Sequence, residues 1–190
     1  MELLCRLTVS RGLPYSYSAY LSRAHLAPFV PTPQMVAERA IAMLRIREAD
    51  SFADLGCGDG RVALEAVHAC PGASVTGIDA DERTLDLARE NVLRLQLRSA
   101  HSPQIALRCA DVLHADLSRF NVFYAYLSSG AIDRVAAHVD KTVFAPGTDV
   151  RFVSCEYPVG NERWQAREVV QDRCSIMGLT LYLYAWRTTQ

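Results

Sequence analysis

Phe52-Ala53-Asp54-Leu55-Gly56-Cys57-Gly58-Asp59-Gly60-Arg61 is the stretch from which the fold of this chain can be read. An apolar lead-in reaches an acid, and three glycines follow at alternate positions. The pattern predicts a strand that ends in a tight turn and runs straight into a helix. Glycine has no Cβ, so a turn built on Gly56 and Gly58 can bring its backbone close to a ligand that a side chain would displace. The spacing D-x-G-x-G-x-G is not the dinucleotide fingerprint G-x-G-x-x-G, whose third glycine comes one residue later and whose turn holds a pyrophosphate.

Outward from this turn, strands and helices alternate. A strand over 51–55 feeds a helix over 61–69, stopped by Cys70-Pro71-Gly72. A second strand covers 74–79, and Asp81 then stands as the N-cap of a helix carrying Leu85, Ala88, Val92 and Leu95 at helical spacing. A third strand is predicted over 104–108. The fourth, 122–127, is a continuous apolar and aromatic run, as expected of a strand buried on both faces. A helix over 131–139, a fifth strand over 150–154 and an antiparallel pair over 169–176 and 180–187, turning at Met177-Gly178, complete the order. Ahead of all these, Pro28-Phe29-Val30-Pro31-Thr32-Pro33 reads as an extended segment. Thr32 is a candidate N-cap, with Pro33 as first residue of a helix reaching about residue 47. Alternating β and α with a closing β-pair predicts an α/β sheet with helices on both faces. Residues 1–30 form a poorly patterned arm, a possible targeting segment or cofactor lid, and 31–190 form one domain.

Composition narrows the class. Half of the 190 residues are apolar and 22% are charged, as in an ordinary globular domain. The net charge of −1 gives no basic excess for nucleic acid. Lys141 is the sole lysine, the other basic side chains being arginine, which reads as genomic bias. The six cysteines include no C-x-x-C pair, and Cys57, Cys109, Cys155 and Cys174 fall in or beside apolar runs, so they read as small hydrophobes in a reducing compartment. The five histidines show no metal-ligand spacing, and no metal is expected. No apolar run approaches the roughly 18 residues of a transmembrane helix. Arg6, Arg11, Arg23 and several serines, against the single acid Glu2, give residues 1–30 the composition of a mitochondrial transit peptide. The expected location is mitochondrial or cytoplasmic.

The 54–60 pattern resembles motif I of the Rossmann-like methyltransferases that use S-adenosylmethionine. That cofactor has a cationic amino-acid end, a sulfonium and an adenosine, and no phosphate, so an acid beside the glycine turn suits it. In open α/β sheets ligands sit beyond the carboxyl ends of the strands, and Asp54, Asp79 and Asp111 fall at three such ends. Asp79 can accept both ribose hydroxyls, because a carboxylate offers two acceptor oxygens. Asp111 can accept from the adenine amino group, with the Val112 amide on a ring nitrogen. Asp54 lies near the ammonium, and Gly56, Gly58 and Gly60 let the backbone approach. Thr32 completes the cofactor-binding candidates. Asp59 and Asp81 read as turn or cap residues.

Methyl transfer is an in-line attack, so positioning supplies much of the catalysis. The acceptor is expected over the end of the fourth strand. There Tyr124 and Tyr126 share one face, with Tyr126 nearer the strand end. Tyr126, by cation–π contact and its hydroxyl, and Ser128, by hydrogen bonding, are the candidate catalytic residues. Tyr124 reads as core. Glu156 reads first as a solvated loop carboxylate and second as an attractor of a lysine.

Further segments resemble a small family of protein-lysine methyltransferases, related to the mitochondrial enzymes acting on the ATP synthase c-subunit and the adenine nucleotide translocase. They are Pro28-Phe29-Val30-Pro31, Asp54-Leu55-Gly56-Cys57-Gly58-Asp59-Gly60-Arg61-Val62, Asp111-Val112, Asp116-Leu117-Ser118, Tyr126-Leu127, Val153-Ser154 with Tyr157-Pro158, and Leu181-Tyr182-Leu183-Tyr184. The resemblance implies a seven-stranded, mostly parallel sheet with a C-terminal antiparallel strand. It also implies transfer to a protein lysine. The chain departs from the family in lacking a long N-terminal apolar segment, and in Ser128-Ser129-Gly130 after the fourth strand. A methyltransferase with a small-molecule or other acceptor, and a SAM-binding module without catalysis, are the alternatives.

Overall fold

The computed structural model describes residues 29–97, 105–143, 146–174 and 178–188. Most of the arm, including Tyr15, Tyr17 and Tyr20, lies outside them, as do Gln104 and residues 175–177 of the closing hairpin. Helix α1, Gln34–Leu44, leads into strand β1, Ser51–Leu55, helix α2, Arg61–Ala69, and strand β2, Ser74–Asp79. Helix α3, Glu82–Gln96, and strands β3, Ile105–Cys109, and β4, Val122–Ala125, follow. Helix α4, Ser129–Thr142, strand β5, Asp149–Cys155, the single-turn helix α5, Glu162–Gln165, and strands β6, Glu168–Cys174, and β7, Leu179–Arg187, close the chain.

The strands form one sheet in the order β3-β2-β1-β4-β5-β7-β6. β1 to β5 are parallel, and β7 runs antiparallel between β5 and β6. The order reverses between β1 and β4, which opens a crevice at their carboxyl ends, where such sheets bind ligands.

Alternation along the strands divides the core into two layers. Phe52, Tyr124, Val153 and Cys155 face α1 and α2, together with Val36, Ala40, Val62 and Ala66. Ala53, Leu55, Phe123, Ala125 and Phe152 face the other way, onto Ile132, Val135 and Val139 of α4 and onto Trp164 of α5. Every residue of β4 is buried, as its unbroken apolar run requires. Trp164 meets Phe152, Tyr184 and Trp186 edge to face, and its indole Nε1 donates to Asp140, which also pairs with Arg167. The sequence carries no helical period at 162–165, because one turn is too short to show it, and tertiary burial of Trp164 makes α5.

The N-terminal end of the sheet is tied by one polar cluster. α1 ends at Leu44, short of the expected residue 47, because Arg45 turns left-handed at φ 47. That turn aims the Leu44 and Arg45 carbonyls at Arg151 of β5, whose Nη1 donates to both at 2.7 Å. Orphan carbonyls at a helix end thereby gain a charged donor. Arg151 Nη2 also pairs with buried Asp50 at 2.6 Å, and Asn121 donates to the other Asp50 oxygen at 2.8 Å. Burial pushes the Asp50 carboxyl up, but bonds from Asn121, Arg151 and the Arg47 amide outweigh it and hold it below its usual value.

Arg151→Met should destabilise the protein by about 3–5 kcal/mol, because it leaves Asp50 buried without its cation. Urea unfolding at neutral pH measures this loss. A folded value below the unfolded one means that the wild-type contribution is present above the ordinary carboxylate range and is lost as pH falls through the depressed value. The gap between variant and wild type should therefore close in acid.

Candidate functional site

The turn after β1 is built on glycines in conformations other residues avoid. Gly56, Gly58 and Gly60 have φ of 80°, 56° and 77°. A Cβ on Gly56 would lie 2.8 Å from Leu127 Cδ2, and one on Gly58 would lie 2.5 Å from the Phe29 ring. The turn is therefore packed on one side by the loop after β4 and on the other by the segment before α1. It is also fastened to the end of β2. The Gly56 and Cys57 amides donate to the Ile78 carbonyl at 2.8 and 3.0 Å. The Gly58 amide donates to Asp79 Oδ2 at 2.9 Å, and the Asp81 amide to Asp79 Oδ1 at 2.9 Å. Each Asp79 oxygen thus holds one backbone N–H and keeps acceptor capacity for a ribose hydroxyl.

Asp54 is buried on the α2 side of the sheet and accepts from the Ala63 amide in the first turn of α2. Its Oδ2 has no hydrogen-bond partner. Burial pushes this carboxyl up to about 8; the Ala63 amide pulls it partway back, and negative charge on Asp79 and Asp59 raises it further. A buried acceptor without a donor costs free energy, and a cationic group nearby would remove that cost. The orphaned oxygen and the glycine cradle both fit the ammonium end and the backbone approach that S-adenosylmethionine needs.

Asp111 closes the third acidic position. Its Oδ1 accepts from the Leu113 amide at 2.9 Å, and its Oδ2 lies 3.0 Å from His114 Nδ1. It therefore shapes the turn after β3 in addition to facing the same rim. Val112 beside it is buried. Asp81 caps α3 as expected, accepting from the Arg83 amide.

Thr32 does not cap α1. The cap position belongs to Pro33, and the Thr32 hydroxyl instead lies 3.1 Å from the Tyr124 hydroxyl, both buried. The Thr32 hydroxyl is drawn into the core by an internal phenol of β4, while the Val36 and Ala37 amides are taken by the Pro33 carbonyl. Arg61 adds a second tie. Its Nη1 donates to the Thr32 carbonyl at 2.9 Å while its Nη2 pairs with Asp59 at 2.6 Å. Asp59 is thus a link between the glycine turn and the preceding segment, beyond the turn role expected of it.

On the acceptor side, β4 ends at Ala125, so Tyr126, Leu127 and Ser128 form the loop above it. Tyr124 and Tyr126 share the α1–α2 face. Tyr124 is core, and Tyr126 is half-buried with its hydroxyl donating to Glu156 Oε2 at 2.8 Å. Ser128 takes the N-cap position of α4 without a side-chain cap bond, and its carbonyl receives the Ala131 and Ile132 amides. Glu156, read as a solvated carboxylate, is exposed but partnered. Cys57 and Cys155 are buried as small hydrophobes, whereas Cys109 is exposed at the end of β3.

Gly77 was not singled out in the sequence. A Cβ there would lie 2.8 Å from Cys57 Sγ, so the strand interior is thinned to admit the turn. A glycine inside an otherwise β-branched strand was the available signal. Among the described residues no group of histidine, cysteine and carboxylates is placed to hold a metal, and no helix is long and apolar enough to cross a membrane.

The family model for the ANTKMT methyltransferase domain matches residues 54–167. A protein-lysine N-methyltransferase of Saccharolobus islandicus is 26% identical over 157 residues, covering 83% of this chain and 92% of that protein. A release factor glutamine methyltransferase of Bradyrhizobium diazoefficiens is 37% identical over 89 residues, which cover 45% of this chain and 28% of that protein. An RNA methyltransferase from Salinibacter ruber, solved with S-adenosyl-L-homocysteine, superposes with a TM-score of 0.70 at 28% identity over 82% of this chain and 93% of that one.

Two predictions follow from the cofactor side. Asp79→Ala should weaken S-adenosylmethionine binding by about 1.5–3 kcal/mol, the scale of hydrogen bonds to a charged group; unchanged affinity by calorimetry would sink the ribose assignment. The folded protein keeps the Asp54 proton up to about 8, well above the ordinary aspartate value of 3.8, so the cofactor-free protein loses stability as pH rises between those values. Asp54→Asn should flatten that slope in thermal melts and raise the melting temperature near pH 8, while weakening the cofactor.

Proposed function

The chain belongs to the ANTKMT methyltransferase domain family, and from that membership we propose that it methylates the side-chain nitrogen of a lysine in a protein. It is a methyltransferase that uses S-adenosylmethionine. The bound cofactor supplies a methyl activated on sulfonium: the acceptor nitrogen forms the new N–C bond as the C–S bond breaks, and sulfur keeps the electron pair. The chain's own residues bind and align. Asp79 holds the ribose, Asp54 the ammonium, and Asp111 with the Val112 amide the adenine, while Thr32 keeps the preceding segment seated against β4. Tyr126 and Ser128 face the acceptor.

One observation carries the lysine reading. The protein-lysine methyltransferase relative is matched over most of both chains, so its acceptor-side half is included, whereas the release-factor relative is matched over a piece. The acid-poor, arginine-containing residues 1–30 support a mitochondrial address. A second reading, an RNA acceptor, has the Salinibacter neighbour in its favour and the absence of a basic excess against it.

The test is transfer of a labelled methyl from S-adenosylmethionine into mitochondrial and cytosolic extracts, separated into protein, RNA and small-molecule fractions, with Asp79→Ala as control. Label in a discrete protein band that hydrolyses to methyl-lysine is the expected outcome. Label in RNA or in small molecules alone would overturn the reading.

A further inference from the structure

Glu156 has a conformation and a partner that a loop carboxylate does not need. It follows the last residue of β5 and has φ 73. Among the described residues only Arg45 and Glu156 are non-glycine residues with positive φ. Arg45 is accounted for by the helix end that Arg151 seals. A left-handed glutamate costs conformational free energy, and such outliers gather at working sites. The Glu156 amide donates to the Thr180 carbonyl at 2.7 Å, which fixes the backbone, and the Tyr126 hydroxyl donates to Oε2, which fixes the side chain. Glu156 remains exposed, so its carboxylate still faces solvent.

Its position matters as much as its geometry. β4 and β5 pair in register up to Ala125 and Ser154, so Tyr126 stands level with Cys155, and Glu156, one residue further on, is reached by the Tyr126 hydroxyl just beyond the sheet. Leu127, next to Tyr126, packs against Gly56. The carboxylate thus stands beyond the carboxyl ends of β4 and β5, beside the half-buried Tyr126 ring. An anion and a phenol ring at one rim suit a cation: the carboxylate supplies charge-assisted hydrogen bonds and the ring a cation–π contact.

We propose that Glu156 is the acceptor-recognition residue, receiving the ammonium of the substrate lysine with its carboxylate oriented by the Tyr126 hydroxyl. This rests on the lysine reading above. The pair binds the amine in its charged form and aims it at the crevice. The ammonium proton must leave to solvent before the nitrogen can attack, and Glu156 at the exposed rim lies on the way out. Tyr126 acts through Glu156 as a positioning residue as well as through its ring.

The experiment uses the full chain, labelled S-adenosylmethionine and extract protein as acceptor, with methyl-lysine counted after hydrolysis. Glu156→Gln should raise the extract concentration needed for half-maximal labelling by roughly tenfold, with S-adenosylhomocysteine affinity by calorimetry unchanged. Glu156→Gly separates chemistry from backbone. It suits the left-handed position, so its melting temperature should hold or rise while methyl-lysine formation falls as far as in Glu156→Gln. Tyr126→Phe should show an intermediate loss of the same kind. Wild-type levels of methyl-lysine in both Glu156 variants would overturn the recognition role and leave the lysine reading standing. Wild-type label in protein at a residue other than lysine would overturn both.

Discussion

The upper rim of this molecule depends on how the 55–60 turn is fastened to the end of β2. Two amides reach the Ile78 carbonyl and a third reaches the Asp79 carboxylate, so the turn has no freedom to settle elsewhere. Its Gly56 and Gly58 are packed by Leu127 on one side and Phe29 on the other, so no side chain could replace either without moving a neighbour. Asp79 holds the turn through the Gly58 amide, and in the proposed reading the same carboxylate accepts the ribose hydroxyls. A cofactor carboxylate already positioned by backbone donors loses little freedom on binding, which is the basis of preorganisation. Asp54 works by the opposite principle. It is buried and incompletely satisfied, a cost that the folded domain carries and that the ammonium of the proposed cofactor would relieve. Sites that trade stability for function in this way are common in enzymes.

The surroundings of the glycine turn and of the β4–β5 ends are assembled from three separated pieces of chain. The segment before α1 reaches the turn through Phe29 and through the Arg61–Thr32 bond. The loop after β4 lies on it through Leu127, and the β5 end joins through Tyr126 and Glu156. Parallel pairing brings these carboxyl ends together without local sequence contact between them. The antiparallel β7 strand then secures β5 from its far side, so the last element of the chain fixes one wall of the crevice.

Much of this was legible in the sequence, and particular residues show why. The strands 51–55 and 74–79 and the helix 61–69 were readable because glycine, proline and an acid punctuate their ends. Asp81 was readable as a cap because capping is local. The α/β sheet with helices on both faces followed from alternation and the closing antiparallel pair from two apolar runs, whereas the Rossmann-like order came from the methyltransferase resemblance. Thr32 was misread as a cap because its true partner, Tyr124, lies 92 residues away. Arg45 ended α1 early because Arg151 of β5 draws its carbonyl, another long-range bond. Glu156 looked like a solvated carboxylate because nothing near it in sequence announces the Tyr126 hydroxyl or the left-handed backbone. What propensity and spacing encode was visible, and what two distant strands do to each other was not.

Gly77 and Cys57 occupy one shared volume, the sulfur filling the space that a strand side chain would otherwise take. Leu107 Cδ2 lies 3.0 Å from the point where a Cβ on residue 77 would sit, so the three positions behave as a single design variable. A library that randomises residue 77 alone would return almost nothing but glycine, and one that enlarges residue 57 alone would push the turn off β2. Varied together, with Cys57 reduced to glycine and Leu107 shortened as residue 77 grows, they offer a route to shift the turn by fractions of an ångström relative to the sheet. That makes this cluster a handle for moving the glycine turn while leaving Tyr126 and Glu156 untouched.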